Sequence, residues 1–301
     1  MEKRIRLGTR GSALALTQSR WVAARMEREG WIVDLEIIHT TGDRIADRAF
    51  IPKDGKGVFV AEIERALLAG DIDVAVHSLK DLPGEMTAGL TLAAVPVRED
   101  PRDVLVGRTV PTLATLPPGA VIGTSSLRRR AQLQRLRPDV QLADMRGNVD
   151  TRLRKLAEGQ YDAICLAAAG LHRLGLAQHI TEYFALDAML PAVGQGALAI
   201  QAREGDAVVA GLQSLHDEKT SRAVRAERAV LAAFGGGCSI PLGVHAVAEG
   251  DTLHLSAILC NLDGSNMVRE QLTGNDRPET LGRQLAGTLR QRAREAHIPC
   301  N

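Results

Sequence analysis

Aromatic residues make up only 3% of this 301-residue chain, which leaves little material for a surface that stacks the bases of single-stranded nucleic acid. The formal net charge is +1, so no general field draws in a polyanion or an anionic membrane, and any anion site has to be local. The four cysteines, Cys165, Cys238, Cys260 and Cys300, form no CxxC pair and no disulfide-framework spacing, and a chain of this size needs no covalent staples. The eight histidines show no HxxxH pairing, so no metal site is expected. Neither a P-loop nor GxGxxG is present, which argues against a nucleotide ligand. The longest apolar run, around Ala163 to Leu171, is too short to span a bilayer, and Met1-Glu2-Lys3-Arg4 leads into a strand-like stretch without an apolar leader. These absences predict a reduced, cytoplasmic enzyme or binding protein with no nucleic-acid or membrane partner.

What the chain does carry is 45% hydrophobic and 24% charged residues, enough for two or three globular domains. A βα start appears twice. Arg4 to Leu7 alternates as a strand, Gly8-Thr9-Arg10-Gly11-Ser12 follows, and Ala13 to Glu29 is a helical stripe capped by Ser12 and closed by Gly30. The order returns at Val121-Ile122-Gly123, where Thr124-Ser125-Ser126-Leu127-Arg128-Arg129-Arg130 opens a helix that ends before Pro138. Such a loop presents unpaired backbone N–H groups to an anion, although ordinary βα turns share the form. Three arginines at a helix start oppose its dipole, a cost that calls for a carboxylate or phosphate partner. Arg10, Arg128, Arg129, Arg146, Arg152 and Arg173 all fall at strand-to-helix junctions, and arginine suits bidentate recognition of carboxylates. A ring of them points to a ligand with several carboxylates, or to a polyphosphate.

The remaining pattern is α/β until Pro241. Asp73 to Val76 is a short buried strand that ends at His77-Ser78-Leu79-Lys80-Asp81. Ligands bind beyond the carboxyl ends of strands in parallel α/β sheets, so Lys80 and Asp81 stand either at a site of chemistry or in a surface ion pair. Tyr161 to Ala168 reads as a strand of a parallel sheet covered on both faces. The polar stretch from His39 to Val58 has little periodicity and reads as a functional or disordered loop. Leu190 to Ala197 leads into a strand at 198–201 and is expected to cross back to the first domain. After Pro241 come antiparallel strands at 244–248, 253–259 and 267–273 and a helix at 279–297. Between these halves lies Gly235-Gly236-Gly237-Cys238-Ser239-Ile240-Pro241, where three glycines mark a loop that delivers one thiol. That thiol is either a presented group or a small residue in a linker.

Taken together, Gly8-Thr9-Arg10-Gly11-Ser12-Ala13-Leu14-Ala15-Leu16, Gly55-Lys56-Gly57-Val58-Phe59-Val60 and Val76-His77-Ser78-Leu79-Lys80-Asp81 match a known pattern. So do Gly123 to Arg129, Arg146-Gly147-Asn148-Val149-Asp150-Thr151-Arg152, Leu190 to Ala197 and Gly236-Gly237-Cys238. In this order they resemble the porphobilinogen deaminase (hydroxymethylbilane synthase) family along nearly the whole chain. The resemblance implies two α/β domains like type II periplasmic binding proteins, joined by a hinge, and a small C-terminal α+β domain with a three-stranded antiparallel sheet. The expected limits are 1–96 with 197–216, then 102–191, then 219–301.

It also implies a transferase that joins four porphobilinogen molecules head to tail, with loss of ammonia, into hydroxymethylbilane on the way to haem and porphyrins, acting as a monomer. A dipyrromethane cofactor bound by thioether to Cys238 is implied, and Asp81 matches the family's catalytic aspartate, with Lys80 beside it. Ser12, Thr124, Ser125, Ser126, Arg128, Arg129, Arg146 and Gly147, together with Lys80 and Asp81, correspond to cofactor contacts. Arg10, Ser12, Phe59, Arg146, Arg152, Gly170, Arg173 and Gln195 correspond to substrate contacts. The chain departs from many relatives at Asp54, Ala61 and Gly235, outside the catalytic set. The competing expectation is a non-catalytic two-domain protein that closes on a polycarboxylate ligand, in which Lys80-Asp81 and Cys238 have no role.

Overall fold

A computed structural model describes residues 3–41, 60–236 and 240–300. Phe59, Cys238 and nearly all of the His39 to Val58 stretch therefore lie outside the described residues. The chain opens with β1 (Lys3–Thr9), α1 (Ala13–Arg28) and β2 (Trp31–Ile37), then α2 (Ala61–Ala69), β3 (Val74–Ser78) and β4 (Leu90–Ala94). The second group is β5 (Asp103–Gly107), β6 (Val121–Gly123), α3 (Leu127–Leu136), β7 (Gln141–Ala143), α4 (Val149–Ala157), β8 (Ala163–Ala167), α5 (Ala168–Arg173) and β9 (Glu182–Tyr183). Then follow β10 (Leu198–Arg203), α6 (Val208–Gly211), α7 (Glu218–Ala233), β11 (Leu242–Glu249), β12 (Thr252–Cys260), β13 (Met267–Gly274) and α8 (Pro278–Glu295).

Two five-stranded sheets, ordered β2-β1-β3-β10-β4 and β7-β6-β8-β5-β9, stand beside the expected three-stranded antiparallel sheet β11-β12-β13. The α/β class is as the sequence predicts, with one correction. Tyr161 to Ala168 reads as a strand of a parallel sheet, yet β8 pairs parallel with β6 and antiparallel with β5. Its unbroken apolar character comes from double coverage. Ala163 and Cys165 enter one core with Leu105 and Ile122, while Ile164 and Leu166 enter another with Val104 and Leu171. In the first sheet β10 likewise runs antiparallel to both β3 and β4.

Both predicted helix starts form as capped turns. The Ser12 hydroxyl accepts from the Ala15 N–H at 3.3 Å and the Ser126 hydroxyl from the Arg129 N–H at 3.4 Å. Gly30, just past α1, has φ +84°, the left-handed conformation that suits glycine at this position.

The chain passes between the two large sheets along two segments, 95–102 and 190–197. They touch where the Glu99 N–H donates to the Gly196 carbonyl at 3.1 Å. Gly196 has φ +87°, and a Cβ there would collide with the Glu99 carbonyl oxygen. Beside this contact Arg98 donates through Nε to the Gln195 carbonyl at 2.8 Å. Its guanidinium grips Glu227 of α7 at 2.6 and 3.2 Å. Glu227 is fully buried and accepts two further N–H groups, from Gly194 at 2.7 Å and Ala246 at 2.9 Å. One carboxylate thus joins both crossing segments to the third sheet.

Removing one member of a buried, hydrogen-bonded ion pair strands the other, a cost of about 3–5 kcal/mol. Glu227→Ala is expected to lower the unfolding free energy by that amount in a urea titration. Glu279→Ala, which loses an ion pair with Arg225 at the surface, is expected to cost less than about 1 kcal/mol.

Candidate active site

At the end of β3 the backbone tightens into a single 3-10 turn, Leu79–Asp81. Leu79 and Leu82 are buried and pin the turn, and the Leu79 N–H donates to the Ala197 carbonyl at 3.0 Å. Lys80, half-buried, and Asp81, exposed, are the polar residues between these anchors. Among the described residues no hydrogen bond or ion pair engages the Asp81 carboxylate.

Lys80 and Asp81 face a cleft of about 340 Å³ whose opposite wall is the start of α3, with Thr124, Ser125, Ser126, Arg128 and Arg129. Arg152 of α4 and Gln195 of the returning segment also line it, and Leu231, Ile240 and Leu242 close one end. A second space of about 180 Å³ shares Lys80, Arg129 and Arg152 with the first and adds Arg10, Ser12, Gly147 and Gly170. Two smaller recesses connect Arg10 and Ser12 to Asp81, and Lys80 to Gly170 and Arg173. Residues read separately at five strand ends therefore converge. Arg146 is the exception: it lines none of these spaces, and its Nη1 is buried with no hydrogen-bond partner.

Several predicted contact residues already hold the fold. Ser125 Oγ donates to the Met145 carbonyl and accepts from its N–H, both at 2.9 Å. Arg152 Nε donates to the Gly147 carbonyl at 2.8 Å, and Arg173 Nη2 to the Gly196 carbonyl at 2.7 Å. Arg128 and Arg129 meet a carboxylate that the sequence reading passed over. Asp103, fully buried at the first position of β5, accepts from Arg128 Nη1 at 2.5 Å and from Arg129 Nε at 2.9 Å. The partner demanded by arginines at a helix start is thus supplied from within, and Arg130 pairs with Asp144. The signal for Asp103 was present: an acid leading the apolar run Val104-Leu105-Val106 must enter the core with its strand.

The field in the cleft is positive. Burial alone would raise the pKa of Asp103, but the guanidiniums of Arg128 and Arg129 overcome it and hold the carboxyl well below the usual range. Desolvation, helped by Arg129, pushes Lys80 down to about 8. The same two causes bring Arg152 to about 10, and desolvation brings Arg173 to about 10 against the pull of Glu99. Burial raises the Cys165 thiol to about 12, which leaves it inert. Arg128 Nε and Gln195 Oε1 are buried in the cleft wall without partners among the described residues. A cleft with surplus cations and spare polar atoms suits a ligand that carries several carboxylates.

Comparison with known proteins bears on the same residues. Residues 5–211 match the family model "Porphobilinogen deaminase, dipyromethane cofactor binding domain", and residues 221–291 match "Porphobilinogen deaminase, C-terminal domain". Curated porphobilinogen deaminases of Syntrophobacter fumaroxidans and Roseiflexus castenholzii are 50% and 51% identical to the chain. The alignments cover 95% of this chain and 94% of the first relative, and 96% of each for the second. Among solved structures, a substrate-binding protein of an ABC transporter from Coxiella burnetii aligns with a TM-score of 0.45 and 16% identity, over 72% of this chain and 94% of that one. Two family models that leave few residues uncovered, and relatives half identical from end to end, place this chain in the porphobilinogen deaminase family.

Proposed function

We propose that the protein polymerises four porphobilinogen molecules head to tail, with loss of ammonia from each, to the linear tetrapyrrole hydroxymethylbilane. The observation that carries this reading is one cleft holding Asp81, a carboxylate with no ion pair among the described residues, beside the cations Lys80, Arg128, Arg129 and Arg152. Each pyrrole brings an acetate and a propionate, so a growing chain needs many fixed cations. The competing reading, a passive polycarboxylate binder, gives Asp81 no task.

A dipyrromethane fits the donor set. Its carboxylates would meet Ser12, Thr124, Ser125, Ser126, Arg128, Arg129 and Gly147, with Arg146 joining them only if its side chain turns toward the cleft, and the orphaned Arg128 Nε supports this assignment. When bound, through a thioether to Cys238, it supplies the primer on which the chain is extended. The protein's own groups do the rest. Asp81 stabilises the positive charge that develops on the incoming pyrrole as ammonia leaves, and it moves the pyrrole protons. Lys80, Arg10, Arg152 and Arg173 hold the substrate's carboxylates, with Gln195, Gly170, Ser12 and Phe59 completing the substrate site. We read the chain as three domains, 1–96 with 197–216, 102–191 and 219–301, with the crossing segments as the hinge.

Asp81→Asn is expected to stay folded and to lose about 10²-fold or more in turnover of porphobilinogen; near-normal turnover refutes its assigned role. The intact mass of protein made in cells that produce porphobilinogen should exceed the sequence mass by two porphobilinogen units less their ammonia. Cys238→Ser should lack the increment and be inactive, and an adduct mapped to Cys165, Cys260 or Cys300 contradicts the linkage. Lys80 is charged below about pH 8 and neutral above it. The pH profile of kcat/KM should therefore fall by roughly tenfold per unit above that point. Lys80→Arg should move the falling limb to higher pH, and an unmoved limb assigns it to another group.

A further inference from the structure

The buried carboxylate behind the cleft has a geometry that packing alone does not require. Asp103 Oδ1 accepts from Arg129 Nε at 2.9 Å, from Gln195 Nε2 at 2.9 Å and from Arg128 Nη2 at 3.3 Å, and it pairs with Arg129 Nη2 at 2.7 Å. Oδ2 takes Arg128 Nη1 at 2.5 Å. Consecutive residues on a helix point about 100° apart, so two arginines at 128 and 129 would by default diverge, and their like charges would drive them further apart. One shared acceptor gathers both guanidiniums to the same side. Backbone carbonyls complete the clamp: Arg128 Nη1 also donates to Leu190 at 2.6 Å, and Arg129 Nη1 to Cys165 at 3.0 Å. Gln195 Nε2 bonds both Asp103 and the Pro101 carbonyl at 2.8 Å, so the assembly reaches both segments that cross between the large sheets.

We propose that Asp103 is a positioning residue: it presents Arg128 and Arg129 side by side to the cleft and ties their placement to the two crossing segments. This rests on the carboxylate-binding role proposed above for the arginines. Asp103 lines none of the spaces described and does not touch ligand. It acts through the arginines, and its single charge offsets only one of their two, so the pair keeps a net positive charge toward the cleft. With asparagine at 103 one acceptor oxygen becomes an N–H₂ group facing a guanidinium. The pair then separates, and a ligand has to reassemble it on binding.

The test uses cofactor-free protein from cells that cannot make porphobilinogen, and follows its gain in mass after porphobilinogen is added. Asp103→Asn should slow the gain about tenfold or more in the wild-type background, but by no more than about threefold further in Arg129→Leu, because contacting residues that act as a unit are not additive. Equal factors in both backgrounds, or unchanged or faster loading by Asp103→Asn alone, overturn the proposal. If Arg129→Leu itself loads normally, both this proposal and the binding role of that arginine fail. If Arg129→Leu is impaired and Asp103→Asn is not, only this proposal fails. Should Asp103→Asn not accumulate as folded protein, arginine ¹⁵N spectra of the wild-type cofactor-free protein decide. The Arg129 Nε–H is expected to exchange with water at least about tenfold more slowly than that of the exposed Arg4; equal exchange overturns the clamp.

Discussion

A carboxylate removed from water has to be given its donors by the fold, and at Glu227 the donors come from three places that are distant in sequence. Arg98 reaches it from the outgoing crossing segment, Gly194 from the returning one and Ala246 from the third sheet. Such an arrangement has one satisfactory geometry, because any displacement leaves charge or N–H groups unpaired in a dry interior. The cleft inherits that geometry. Its walls come from the first sheet at Lys80, the second at Arg128 and Arg129, and the third at Leu242. Their relative positions are governed where the crossing segments meet α7.

Asp103 does at the second sheet what Glu227 does at the junction, and both touch the returning segment, one through Gln195 and the other through Gly194. The structure therefore uses buried anions to hold cations in place, while Asp81, the carboxylate that faces the cleft, has no ion pair among the described residues. Lys80 sits between the two regimes. It feels the desolvation of the wall and the repulsion of Arg129, which brings its proton affinity toward neutral pH. A cation in that condition can respond to the arrival of a ligand carboxylate more than a fully hydrated one can.

Much of this is legible in the amino-acid sequence. The paired βα starts, the cap at Ser12 and the strand end carrying Lys80 and Asp81 are local features, and local features leave local marks. So does the change to alternating strands after Pro241. The antiparallel insertion of β10 and the mixed direction of the second sheet left none, because a doubly covered strand looks the same whichever way its neighbours run. The burial of Asp103 is marked by the apolar run it leads, but its role is not. Its partners Arg128, Arg129 and Gln195 lie 25, 26 and 92 positions away, and no periodicity links an acid to donors at such separations. The arginines could be recognised as needing an anion, but not that the chain provides one itself.

The central place of β10 in the first sheet has a consequence for the order in which the protein is made. The second sheet is drawn from one unbroken stretch, β5 to β9, and can close as soon as that stretch has left the ribosome. The first sheet cannot: β3 and β4 flank a gap that only β10 fills, and β10 emerges after the whole second sheet. Until then β3 and β4 each present an unpaired edge lined with apolar residues such as Val74, Val76 and Ala93. Synthesis thus holds the half of the molecule that carries Asp81 open while the half that carries the arginines is already built, and completes it with the strand that follows the second crossing.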